Sequence, residues 1–187
     1  MREKSILTLL ACTLILAAPA RSGDALGLYF SDSEFTQDSA TVMLEPDLAV
    51  MAYIVLTEPT GDVVAGYEVG VACTDPDFVY FAPSLIWEND GTDTNQIVHF
   101  TEPKPVLPGG TVLSSGFLSV QSTDEELVTF GPSDPSSIDE PRPAVEYVAA
   151  GWMACDGPFG SDVVAWLNPN PVATAPTSWS GVKGLFE

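Results

Sequence analysis

Histidine occurs once, at His99 in the segment QIVHFT. A Ser-His-Asp site would have to take its base from that imidazole. The chain has no Gly-x-Ser-x-Gly turn on which such a serine is presented. Strand alternation sets His99 on the face of Ile97 and Thr101, opposite Val98 and Phe100. His99 therefore reads as a strand residue meeting solvent or a neighbour. One histidine with so few cysteines does not supply the ligands of an ordinary zinc site. The 26 Asp and Glu residues could contain a glycosidase acid and base, but with so many carboxylates no spacing singles out a pair. The residue types thus disfavour an enzyme.

Three weaker constellations stand out. Glu88 to Asn95 is a compact oxygen-rich loop, with Asp90, Asp93 and Asn95 as calcium candidates. It fails the EF-hand template: with Gly91 in sixth place, the first and twelfth places fall on Ile86 and Ile97. A solvated turn is the simpler reading, and no metal or other cofactor is assigned. Trp87 beside that loop, with Tyr80 nearby in sequence, would make an aromatic platform for a sugar. Trp152 and Trp166 lie in apolar runs and are expected inside. Cys73 and Cys155 each end a strand-like run just before a turn, so they are expected to pair as a disulfide at one pole of the fold.

The N-terminus explains why a disulfide is the expectation. Arg2 and Lys4 precede an apolar run from Ile6 to Ala18, and Ala18-Pro19-Ala20 suits signal peptidase. Residues 1–20 read as a secretory signal cleaved after Ala20, which removes Cys12. The run is shorter than the roughly 20 residues a bilayer span needs, and no later stretch is apolar enough, so no membrane span is expected. A formal net charge of −20 disfavours nucleic acid and anionic membrane surfaces as partners. Apolar residues make up 45% of the chain and are patterned, so the acidity does not mean disorder.

The elements that must position these residues are strands. Thirty-one Gly and Pro residues punctuate short runs rich in Val, Tyr, Phe and Thr. Strands are expected at Ala25 to Phe30, Leu48 to Thr57, Val63 to Thr74, Phe78 to Ala82 and Gln96 to Thr101. Others follow at Thr111 to Gln121, Leu127 to Phe130, Val145 to Met153 and Val163 to Leu167. In the run from Val63 to Thr74, Tyr67, Val69, Val71 and Cys73 share one face; Gly66, Glu68, Gly70 and Ala72 share the other. The expectation is all-β: one antiparallel two-sheet sandwich over residues 26–167, cohesin-like or immunoglobulin-like.

Beyond it, residues 168–177 form a Pro-rich spacer, and residues 178–187 an apolar tail. Ser178 would cap a short helix that gathers Trp179, Val182 and Phe186 on one side, with Leu185 at its edge. Gly181 and Gly184 weaken that helix, so the tail must dock on something or stay disordered.

The segment LAVMAYIVLTEPTGDVVAGYEVGVACT, followed by GGTVLSSGFLSV, resembles the cohesin-type β-sandwich. The matching positions are Gly66, Tyr67 and Glu68, then Gly110, Val112, Leu113, Phe117 and Val120. From Leu26 onward the chain also resembles uncharacterised secreted bacterial proteins with YIVLTxPT, a GYE strand and a SWxxVKxLF-type tail. The resemblance implies a fold, export to the extracellular space or cell envelope, and a sorting or attachment role for the tail. It implies no reaction. Cohesins bind dockerin modules, and their partner-binding residues do not map onto this chain. The expected function is a secreted, non-enzymatic structural or interaction module, with an extracellular protein or glycan as partner. The alternative is a carbohydrate-binding module, with or without calcium.

Overall fold

The computed structural model describes residues 23–81 and 87–169; the signal segment, residues 170–177 of the spacer and the tail with Trp179, Val182, Leu185 and Phe186 lie outside them. In chain order the strands are β1 (Ala25–Tyr29), β2 (Thr41–Val42), β3 (Ala49–Thr57), β4 (Val63–Cys73), β5 (Val79–Phe81) and β6 (Trp87–Asn89). They continue as β7 (Asn95–Pro105), β8 (Thr111–Ser119), β9 (Glu126–Gly131), β10 (Ala144–Tyr147), β11 (Gly151–Ala154) and β12 (Val163–Leu167). A single 3-10 turn, Asp38–Ala40, leads into β2.

These strands make two sheets. One has four strands in the order β1-β3-β8-β5. The other has eight: a path β11-β10-β4-β9-β12-β2, with β7 also paired to β4 and β6 paired to β7. Pairing is antiparallel except between β12 and β2, which run parallel, so the larger sheet is mixed rather than purely antiparallel. The period-2 alternation explains how both sheets feed one core. Leu26, Leu28, Ile54, Leu56 and Leu118 from the smaller sheet meet Tyr67, Val69, Val98, Phe130 and Val145 from the larger. Each such side chain contributes about 1.5–3 kcal/mol when fully buried.

Several polar groups inside are paired, while the buried hydroxyls of Tyr29 and Tyr80 have no hydrogen-bond partner among the described residues. The Tyr67 hydroxyl donates to Gln96 Oε1 at 2.5 Å and lies 2.8 Å from Ser114 Oγ. Asp24 accepts from Thr60 N at 2.8 Å, Thr60 Oγ1 at 2.7 Å and the Tyr147 hydroxyl, tying the start of β1 to the β3–β4 turn and to β10. The half-buried Lys104 clamps the sheets together: its Nζ donates to Val112 O (3.2 Å) and Leu113 O (2.7 Å). It also stands 4.6 Å from the Phe100 ring centre.

Two sequence expectations are corrected. The run from Val145 to Met153 is a hairpin, not one strand: Tyr147 pairs with Gly151, whose φ of +75° makes the turn. Cys73 and Cys155 are free thiols, not a disulfide. Ala144 pairs with both Glu68 and Ala154, so Cys155 lies two strands from β4, level with Val69 and four residues short of Cys73. That separation is about 13 Å along the strands and about 10 Å across them, well beyond the ~7 Å Cα limit for a disulfide. Both cysteines end runs before turns, but the runs end at different depths of one sheet.

Candidate functional site

The outer face of the larger sheet gathers what the sequence leaves scattered. Gly66 on β4 pairs with His99 on β7 and, across its other flank, with Glu146 on β10; Glu146 pairs in turn with Trp152 on β11. The four residues form one row across the sheet. Gly66 supplies no side chain, so its neighbours close over it. His99 Nδ1 stands 3.6 Å from Glu146 Oε2, with the two side chains 46% and 28% exposed. At that distance the contact is an ion pair when the imidazole is protonated, and not a direct hydrogen bond. The rings of His99 and Trp152 meet edge to face, with centres 5.9 Å apart and planes at 82°.

The glycine is required there. A Cβ on residue 66 would lie 2.4 Å from the Val98 carbonyl oxygen, and backbone cannot swing aside as a side chain does. The row therefore presents an imidazole, a carboxylate and a half-buried indole that close over a buried glycine.

One step along the strands, the same face is covered. Glu68 is fully buried. Its carboxylate accepts from Ser136 Oγ at 2.8 Å and from Ser137 N at 2.9 Å, and so holds the segment after β9 down on the sheet. Asn95 clamps the same segment twice, donating to Asp134 O (2.7 Å) and accepting from Asp134 N (2.8 Å). At Gly70 a Cβ would stand 2.5 Å from Pro132 O. The face that reads in sequence as small residues is thus split. Its Gly70–Glu68 half meets a strap, and its Gly66 half is buried beneath the neighbouring side chains.

The sequence candidates fall elsewhere. Tyr80 is 2% exposed, pointing into the core from β5 of the smaller sheet, where burial pushes its phenol up to about 12. Trp87 opens β6 in the larger sheet, its backbone paired with Phe100. Tyr80 therefore cannot form an open sugar platform with Trp87. Trp152 and Trp166, expected inside, are each half-buried.

The 88–95 loop is a hairpin closed by its own groups: Asn89 Oδ1 accepts from Gly91 N (3.0 Å) and Ile97 N (3.1 Å), while Thr92 N donates to Asn95 O (2.7 Å). Asn95 spends its amide on the strap. Asp90 is exposed and Asp93 half-exposed. Among the described residues no three His, Cys, Asp or Glu side chains gather as a metal site.

The thiols are quiet. Burial, followed by the charges of Asp24 and Asp156, pushes Cys155 well above the ordinary thiol range. Burial chiefly raises the half-buried Cys73 as well.

Sequence reasoning missed the partnership of His99, Glu146 and Trp152 because the three residues lie on different strands. It also missed the role of Glu68. The one available signal was a lone carboxylate between glycines on an otherwise side-chain-poor strand face.

No protein-family model and no curated protein matches the sequence. Among solved structures the chain is similar to the sixth cohesin of Acetivibrio cellulolyticus scaffoldin B, solved in complex with a dockerin. The TM-score is 0.48 at 12% identity, over 80% of this chain and 100% of that one.

Proposed function

We propose that this chain is a secreted, non-enzymatic interaction module built on a cohesin-like sandwich, and that it contacts a protein partner through the His99–Gly66–Glu146–Trp152 row. The observation that carries this reading is the row of partly exposed side chains, His99, Glu146 and Trp152, that meet over the buried Gly66. Tryptophan is among the residues that dominate binding energy when a partner covers them. Glu146 and His99 offer an acceptor and, when the imidazole is protonated, a donor for orienting it. The strap bonded to Glu68 holds the adjoining stretch of β4, which lowers the cost of ordering on binding.

The test is capture from secreted and cell-envelope proteins of the organism that makes the chain, comparing wild type with Trp152→Ala and Glu146→Gln. A partner held by wild type and lost, or weakened at least about tenfold, with Trp152→Ala supports the reading. Capture indifferent to both substitutions removes the row from it. A glycan array run with and without calcium separates the alternative: sugar binding abolished by Trp152→Ala would make the module a carbohydrate binder at the same row.

A further inference from the structure

The smaller sheet carries a different surface. On its outer face Met51 of β3 and Phe117 of β8 stand directly opposite each other in register, and Val79 of β5 pairs with Ser119 two residues away. All three are open, at 36%, 43% and 55% exposure. Leu48, just before β3, and Met43, just after β2, are exposed as well. These five are the majority of the nine large apolar side chains exposed among the described residues. The other half of this face is already covered: Tyr29 and Val55 are buried beneath Phe35 and Phe159. An apolar area of this kind on one half of an otherwise covered sheet marks a contact surface.

We infer that this face is the dock for the chain's own segment 178–187, seated through Trp179, Val182, Leu185 and Phe186. Three observations select that occupant. The first is where the described chain leaves the fold. Asn168, just past β12, donates through N to Val42 O (2.9 Å) and through Nδ2 to Ser122 O (3.0 Å), and accepts from Leu44 N (2.6 Å). The chain therefore exits beside Met43 and only three residues beyond Ser119, the register partner of Val79 and Ala49. That is about 10 Å from the near edge of the patch.

The second observation is length. Nine chain steps lead from position 169 to position 178, with prolines at 169, 171 and 176. A Pro-rich stretch of that length can reach about 28 Å, at about 3.1 Å per residue.

The third is charge. Exposed Glu45, Asp47 and Asp77 rim the patch. The segment carries Lys183 and Glu187, so its side chains bring no net charge to that acidic surface. A second copy on the same face would instead oppose two acidic rims on chains that each carry a formal charge of −20.

The experiment reads the patch directly, in the full chain after signal removal. Methionine oxidation by peroxide is followed residue by residue by peptide mass spectrometry. Met51 reports the dock, and Met153, 41% exposed on β11 of the other sheet, is the control. Replacing Trp179→Asp and Phe186→Asp together should speed Met51 oxidation at least about three-fold while leaving Met153 unchanged. The reciprocal variant, Phe117→Asp, should make residues 178–187 more susceptible to protease. Equal Met51 rates in wild type and the double variant overturn the inference. Met51 protection that fades on dilution of the wild-type chain also overturns it, because it assigns the face to a second copy.

Discussion

The carboxylate of Glu146 reaches the imidazole of His99 across Gly66, a residue that is the register partner of both. Two side chains from strands on opposite flanks of β4 meet only because the strand between them has no side chain at that level. The same glycine is pressed against Val98 O, so no larger residue fits. Gly66→Ala should destabilise the fold by about 1–3 kcal/mol, the usual cost of overpacking, and should push His99 and Glu146 apart. Urea unfolding gives the first number, and the loss of the His99–Glu146 coupling in a double-mutant cycle gives the second. A variant as stable as wild type would mean that β4 and β7 can part there without cost.

Glu68 is the anchor of the strap. Glu68→Ala leaves Ser137 N without its carboxylate, and an unsatisfied buried donor costs about 1–3 kcal/mol. The expected result is a stability loss of that size, with faster hydrogen exchange confined to residues 132–138. Fast exchange spread over the whole sheet would show instead that Glu68 supports β4 itself.

How much of this was legible beforehand depends on where each partner lies. The long strands were readable because Tyr67, Val69 and Val71 alternate with small residues, and that pattern is local. The hairpin of β10 and β11 was not, since its two arms read as one apolar run broken only at Gly151. β2 and β6 are two and three residues long, too short for any period to show. Glu68 and its strap are 68 and 69 residues apart in sequence, and nothing near either announces the other. The cysteines misled for a related reason. Proximity to a turn says where a strand ends, not how far along the sheet that end falls.

The thiols supply a further check. With Cys73 and Cys155 at different depths of one sheet, the intact mass of the folded chain should not change on reduction, and both should alkylate once unfolded. In the folded protein Cys73, half-buried, should react before Cys155, which is fully buried. Burial raises both thiols above the ordinary range, so little thiolate is present near neutral pH and both reactions should be slow. A mass increase of two protons on reduction would restore the cross-link and require β11 to move.

Asp75 gives the pH dependence. It is 4% exposed and accepts from Asp77 N at 2.8 Å, Gln121 N at 2.9 Å and Ser122 N at 3.1 Å, tying the turn before β5 to the end of β8. Desolvation pushes its carboxyl up, but the three backbone donors together outweigh it, and the group sits below the ordinary 3.8. A carboxyl depressed in the folded state stabilises the fold fully above its unfolded pKa, and that contribution fades as pH falls through the folded value. Asp75→Ala should therefore cost about 1–2 kcal/mol near neutral pH, chiefly through the stranded N–H groups of Gln121 and Ser122. The gap between variant and wild type should narrow in acid, as the pH falls below the ordinary carboxyl range and the wild-type carboxyl also protonates. Chemical denaturation across that range measures both. A gap that stays constant into acid would show that these donors hold Asp75 equally well when protonated, and that its charge contributes nothing.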